Sequence, residues 1–214
     1  MTRNRVLLAI MVVVLLMASI AGFSCTGAQG PQGPPGEQGP TGLGYSPMQI
    51  ALLRWYEANQ AGITYNVGNY PGGICFDGAN IWVSNYLDGT VTKLRASDGT
   101  TLGTYNVGNG PVGICFDGAN IWVANYSDGM VTKLRASDGT TLGTYNVGSG
   151  PEGICFDGAN IWVSNYDDGT VTKLRASDGT TLGTYNVGNY PLGICFDGAN
   201  IWVSNYSDGT VTKL

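Results

Sequence analysis

The chain has 214 residues, 34 of them glycine, with 12% charged residues, a net charge of −5 and no histidine. That length suffices for one well-buried domain, and the acidic balance leaves no basic stripe for nucleic acid. Without imidazole there is no Ser-His-Asp or Cys-His arrangement and no imidazole metal ligand.

Residues 1–24 read as a signal or membrane-anchor segment. Arg3 and Arg5 precede an uncharged apolar run from Val6 to Phe23, followed by Ser24 and Cys25. Basic, then apolar, then small is the order of a bacterial export signal. Three outcomes stand side by side: lipidation at Cys25, cleavage after Ser24, or retention as an uncleaved anchor, the run being long enough to approach a membrane span. Each puts the remainder outside the cytoplasm, at the cell surface or secreted, with the membrane as a partner in the anchored forms.

Residues 25–44 form a stalk. Glycine holds positions 27, 30, 33, 36, 39 and 42, with Pro31, Pro34, Pro35 and Pro40 between them. Only glycine fits at the axis of a collagen triple helix, so this stretch resembles a collagen-like segment and implies a homotrimer. A single-chain polyproline II spacer, rising roughly 3.1 Å per residue, satisfies the same pattern.

A short helix is expected over residues 45–61, with Ser46 as N-cap, Pro47 at the first helical position and Gly62 as the stop. Ile50, Leu53, Trp55, Tyr56 and Ala58 form a broad apolar face. A helix this short is marginal alone, which favours packing against the following domain over a trimer neck.

From residue 62 to residue 214 the chain repeats. The stretch Thr64–Gly103 recurs from Thr104, Thr144 and Thr184 with a period of forty, and the fourth copy stops at Leu214, nine residues short. Each copy holds four runs rich in β-branched and aromatic residues, separated by Asp-Gly and Pro turn chemistry. In the second copy these are Gly113–Asp117, Asn120–Asn125, Met130–Leu134 and Leu142–Val147. Four strands in about forty residues match one blade of a β-propeller, with the first two strands expected inside and the Thr/Lys-bearing last two meeting water. A stacked β-solenoid is the rival. The fold class expected is all-β: a four-bladed β-propeller with four strands per blade. The array begins with an outer-type strand, Thr64–Val67, and ends after a third-type strand, so that first strand is expected to close the ring beside Val211–Leu214.

The repeats, with GxCFDGANIWVSN and TVTKLRASDGT in nearly every copy, resemble the YVTN-type forty-residue β-propeller repeat family of bacterial and archaeal surface proteins. The resemblance covers Thr64–Leu214. It implies a propeller and an extracellular location, and no single activity.

Cys75, Cys115, Cys155 and Cys195 share one strand position. They read as small buried hydrophobes, against the alternative of a fourfold thiolate site. Asp77, Asp117, Asp157 and Asp197 could gather oxygen ligands for Ca²⁺, but Asp before Gly is also what a tight hairpin asks for. Trp82, Trp122, Trp162 and Trp202 read as blade packing. Lys93, Lys133, Lys173 and Lys213 read as a solvated outer strand. No cofactor is expected.

Only six of the forty columns differ between copies. Three lie in the connection entering each blade and three in or beside the turn between its second and third strands. Alternating strand direction puts both on one side of the disc, a common way to build a binding surface. Tyr70, Tyr190, Leu87, Leu192, Glu152 and Asp167 are therefore the candidate ligand-binding face. Harmless drift after a young duplication would leave the same pattern. The function expected is an exported, surface-tethered binding or adhesion module for a protein or glycan, not an enzyme. A structural envelope component is the second reading, and a propeller lyase or hydrolase the third.

Overall fold

The computed structural model describes residues 63–214. The signal or anchor segment, Cys25, the collagen-like stretch, the trimer it implies and the 45–61 helix lie outside the described residues.

Within the repeats the expected strands form. The first copy gives β1 (Pro71–Phe76), β2 (Asn80–Asn85), β3 (Thr90–Arg95) and β4 (Thr101–Asn106). The second gives β5 (Pro111–Phe116), β6 (Asn120–Asn125), β7 (Met130–Arg135) and β8 (Thr141–Asn146). The third gives β9 (Pro151–Phe156), β10 (Asn160–Asn165), β11 (Thr170–Arg175) and β12 (Thr181–Asn186). The fourth gives β13 (Pro191–Phe196), β14 (Ile201–Asn205) and β15 (Thr210–Lys213). Each copy is an antiparallel meander, so there are three sheets of four strands and a last sheet of three. The β1–β2 turn shows why: Asp77 Oδ1 accepts from the amides of Ala79 at 2.9 Å and Asn80 at 2.6 Å, while Gly78 takes φ +99°.

The core lies between blades. Alternation along β6 sends Trp122 and Ala124 towards the third blade, where they pack with Val131 on Ile154, Ile161, Val163 and Leu174. The opposite face of the same sheet, Ile121 and Val123 with Leu134, meets Trp82 and Val91 of the first blade. Tyr105 and Tyr145 cap Trp82 and Trp122, with ring centroids 5.5 Å apart in each pair. Within the inner blades the second and third strands are the most buried. The first strand is half-buried and the fourth exposed. The sequence gradient suggested the first two strands as the inner pair; the second is buried as expected, but the first is only half-buried and the third takes its place.

The lysines correct a second expectation. Lys93 and Lys133 are only 6% and 5% exposed. Lys93 Nζ donates across the interface to the carbonyls of Ala136 at 2.7 Å and Ser137 at 3.2 Å, and sits 4.9 Å from the Trp82 ring centroid. The third strand is an inter-blade strand, not a solvated one.

Among the described residues the ring does not close. β1 meets β5, β5 meets β9 and β9 meets β13, but β13 makes no comparable contact with β1. Thr64–Val67 forms no strand beside β15. It lies instead on the first blade: Tyr65 covers Gly99 as Tyr105 covers Gly139, and Gly68 N donates to Asn85 Oδ1 at 2.9 Å as Gly108 N does to Asn125 at 3.1 Å.

Candidate functional site: a tyrosine groove on the variable face

Backbone bonds bring the variable columns together as expected. Tyr86 N donates to Tyr70 O at 3.0 Å, and the Asp88 carboxylate accepts from Asn69 N at 2.7 Å and Asn69 Nδ2 at 2.9 Å. The connection entering each blade is thereby tied to the turn between its second and third strands. The invariant turns are tied on their own side, through Ala96 N to Ala79 O at 3.1 Å.

On the variable side an open groove of about 520 Å³ crosses the blades. Tyr86, Tyr126, Tyr166 and Tyr206 line it, one from each turn, with Val112, Glu152 and Leu192 from the starts of β5, β9 and β13. Buried Asn85, Asn125, Asn165 and Asn205 hold these turns from beneath. In the second blade Asn125 Oδ1 accepts from Gly108 N at 3.1 Å and its Nδ2 donates to Thr132 at 2.9 Å.

Of the six residues singled out from the sequence, Glu152 and Leu192 enter the groove and Asp167 borders it, the Tyr126 hydroxyl lying 3.5 Å from Asp167 Oδ1. Tyr190 stacks on Tyr166 with centroids 4.7 Å apart. Tyr70 and Leu87, 72% and 60% exposed, stand on the first blade without lining the groove. Both Tyr70 and Tyr190 hold φ +53°, the left-handed region that Gly110 and Gly150 occupy in the other copies. Burial raises the Glu152 carboxyl above its ordinary value. Burial, then the nearby Asp167 and Glu152 charges, raises the Tyr126 hydroxyl.

The four groove tyrosines escaped the sequence reading because they do not vary between copies, and attention went to the columns that do. Their signal was position: each opens an Asn-Tyr-x-Asp-Gly turn on the variable side.

The other repeated constellations do not assemble. Each aspartate of the Asp-Gly-Ala-Asn turn is consumed locally: Asp117 accepts from Ala119 N, Asn120 N and Nδ2, and Trp122 Nε1 at 2.7 Å. Among the described residues no three Cys, Asp or Glu side chains gather as a metal ion would need, so the proposed Ca²⁺ cluster of Asp77, Asp117, Asp157 and Asp197 does not form. Cys75, Cys115 and Cys155 are free and half-buried between blades. Burial first, and the charge of the next aspartate second, pushes Cys75 up to about 12.

No family model matches the chain. No curated protein matches it in sequence. Solved structures do match in fold. Streptogramin B lyase is 20% identical, with 71% of this chain and 58% of that chain covered, at TM-score 0.58. BamB from Moraxella catarrhalis is 16% identical, with 66% and 42% covered, at TM-score 0.56. The computationally designed Ika4 protein is 15% identical, with 73% and 98% covered, at TM-score 0.63. The chain spans about half the length of several of these, as with 51% of Kuenenia stuttgartiensis hydrazine synthase. At such identities the likeness concerns the fold alone: this is an all-β, β-propeller-like repeat protein.

Proposed function

We propose that the chain is an exported, surface-tethered β-propeller module that binds a glycan along the tyrosine groove, and that it is not an enzyme. The observation that carries this reading is the row of Tyr86, Tyr126, Tyr166 and Tyr206, one per blade, in one open trough with Glu152 in its lining and Asp167 at its border. Phenol rings offer apolar faces to the C–H faces of pyranose rings and a hydroxyl for their oxygens, and their two-torsion side chains lose little entropy on binding. The blade repeat sets rings at intervals, which suits an extended polymer better than a compact substrate. The N-terminal export pattern, Cys25, the Gly-X-Y stretch and the resemblance to YVTN-type surface repeats support placing such a groove outside the cell, held off the membrane by a stalk.

The test is retention on an oligosaccharide array, followed by titration with the best-retained oligosaccharide. Replacing Tyr126 and Tyr166 together with Ala should weaken binding by at least about tenfold, since each aromatic contact of this kind is worth about 0.5–1.5 kcal/mol. No retention of the parent protein, or retention that the double variant leaves intact, would remove the glycan reading. Retention on extended peptides alone would redirect it to a protein ligand.

A further inference from the structure

We propose that the groove takes a cationic glycan, an amine-bearing polymer of the glucosamine class, with an ammonium group held at the Tyr126 and Tyr166 rings against Glu152 and Asp167. This rests on the groove being a glycan site and adds the charge of what enters it.

The variable side carries acidic groups without counter-charge. Every lysine and arginine of residues 63–214 is Lys93, Arg95 or one of their equivalents in later copies. Their bonds lie on the opposite side. Lys93 and Lys133 reach the carbonyls of Ala136 and Ala176, while Arg95, Arg135 and Arg175 pair with Asp98, Asp138 and Asp178. On the variable side each blade's turn brings an aspartate instead. Asp88, Asp128, Asp168 and Asp208 accept from the amides of Asn69, Asn109, Ser149 and Asn189, at 2.7, 2.6, 2.6 and 2.7 Å. Those four carboxylates are occupied.

Glu152 and Asp167 add to the same field and are not occupied. Glu152 is half-buried in the groove wall, and among the described residues no donor or basic side chain faces it. Burial is what raises its carboxyl. Asp167 has the Tyr126 hydroxyl at 3.5 Å, a long contact. Neither charge is required by the fold. Val112 and Leu192 fill the Glu152 column in neighbouring copies, and Ser127 and Ser207 fill that of Asp167. A cation brought in by a ligand supplies the partner that both carboxylates lack.

The rings beside them suit the same cation. Tyr126 and Tyr166 stand with centroids 6.4 Å apart and planes at 52°, and Tyr190 backs Tyr166 at 4.7 Å. Gly150 keeps this corner open, since a Cβ there would strike the Asp167 carboxylate and stand 3.2 Å from Tyr126 Cε2. Ammonium groups are attracted to aromatic faces within about 6 Å of the ring centre. The protein uses that attraction internally, with Lys133 Nζ 4.8 Å from the Trp122 centroid. A neutral sugar would use the rings and leave both carboxylates unpartnered, and an acidic sugar would be repelled by them. A lysine-rich peptide offers the same ammonium, but rings repeated once per blade suit a polymer of repeating flat-faced units.

The test is calorimetric titration of the full chain, purified in detergent, at pH 6 with two hexasaccharides of matched length and linkage. One is built of glucosamine and the other of N-acetylglucosamine, which lacks the charge. The glucosamine hexamer should bind at least about tenfold more tightly at low salt, and the preference should shrink as salt screens it. Glu152→Gln combined with Asp167→Ser should bring the two affinities close together. Should that double variant misfold, Asp167→Ser alone decides, because serine already fills its column twice, and the preference must fall. Equal or tighter binding of the acetylated hexamer overturns this inference and leaves the glycan reading standing. Binding of neither hexamer, by a protein that another oligosaccharide saturates, does the same. A preference for glucosamine that the variants keep also overturns it, since the charge would then be read elsewhere. Binding of lysine-rich peptides alone overturns both readings.

Discussion

Lys133 of the second blade donates to the carbonyl of Ala176 in the third at 2.7 Å, with its ammonium 4.8 Å from the centre of the Trp122 ring. A lysine 5% exposed, with no carboxylate partner among the described residues, is held by carbonyl dipoles and an aromatic face. Replacing it by methionine keeps the stem and removes the donor. Lys133→Met should lower unfolding stability by about 1–3 kcal/mol, the range for leaving buried acceptors unpaired. Equilibrium denaturation in urea checks this, and a variant as stable as the parent would reduce Lys133 to a packing stem.

Stability should be nearly flat through neutrality and fall on the acid side. The chain has no histidine. Burial alone would raise Asp77, Asp117 and Asp157, but hydrogen bonds from Trp, Asn and backbone donors outweigh it and hold all three below 3.8. Backbone bonds from Thr140 and Thr180, then the adjacent hydroxyls and arginines, bring Asp138 and Asp178 down to about 2. A carboxyl whose folded value is depressed stabilises above its unfolded value and loses that contribution as pH falls through the folded one. Melting temperature should therefore hold from about pH 5 to 8 and drop between about pH 4 and 2. Thermal melts across that window decide it, and a drop above pH 5 would point to groups other than these.

Glu152 acts in the opposite direction. Burial raises its folded value above 4.5, so folding favours the protonated form and the ionised carboxylate costs stability at neutral pH. The fourth copy carries Leu192 in the same column. Glu152→Leu should raise the melting temperature at pH 7, with the gain shrinking as pH falls through the raised folded value towards 4.5 and largely gone below it, where both states are protonated. Melts of parent and variant at pH 7 and pH 4 provide the comparison; an equal gain at both would assign it to packing alone.

What could be read in advance depended on whether a residue answers to its own strand or to a neighbouring blade. The strands, the Asp-Gly turns and the shared side of the variable columns follow from local turn chemistry and strand alternation, and the sequence shows them. The burial of Lys93 does not. Its partners are carbonyls forty-three and forty-four residues away, and carbonyls leave no mark in a sequence. Closure failed as an expectation for a related reason. Strand counting gives Thr64–Val67 an outer-strand character, but whether it reaches β15 depends on how whole blades pack, and β13 makes no contact with β1 like that of β1 with β5. The groove was half legible: Glu152 and Leu192 announced themselves by varying, whereas Tyr126 and Tyr166 were hidden by their constancy.

The contact between Gly139 and Tyr105 gives the last prediction. Gly139 sits in the turn after β7 at φ +75°, and a Cβ there would enter the Tyr105 ring. Tyr105 belongs to β4, opposite Val91, so the clash would fall on the joint between the first and second blades. Gly118 offers the control, since it holds φ +99° with open space where its Cβ would stand. Gly118→Ala should carry only the backbone cost of a left-handed alanine, about 1–2 kcal/mol. Gly139→Ala adds displacement of a ring that caps Trp82, and should cost about 2–4 kcal/mol in all. Urea midpoints of the two variants measure the difference directly. If Gly139→Ala is no worse than Gly118→Ala, the Tyr105 ring yields freely and the joint between blades does not depend on it.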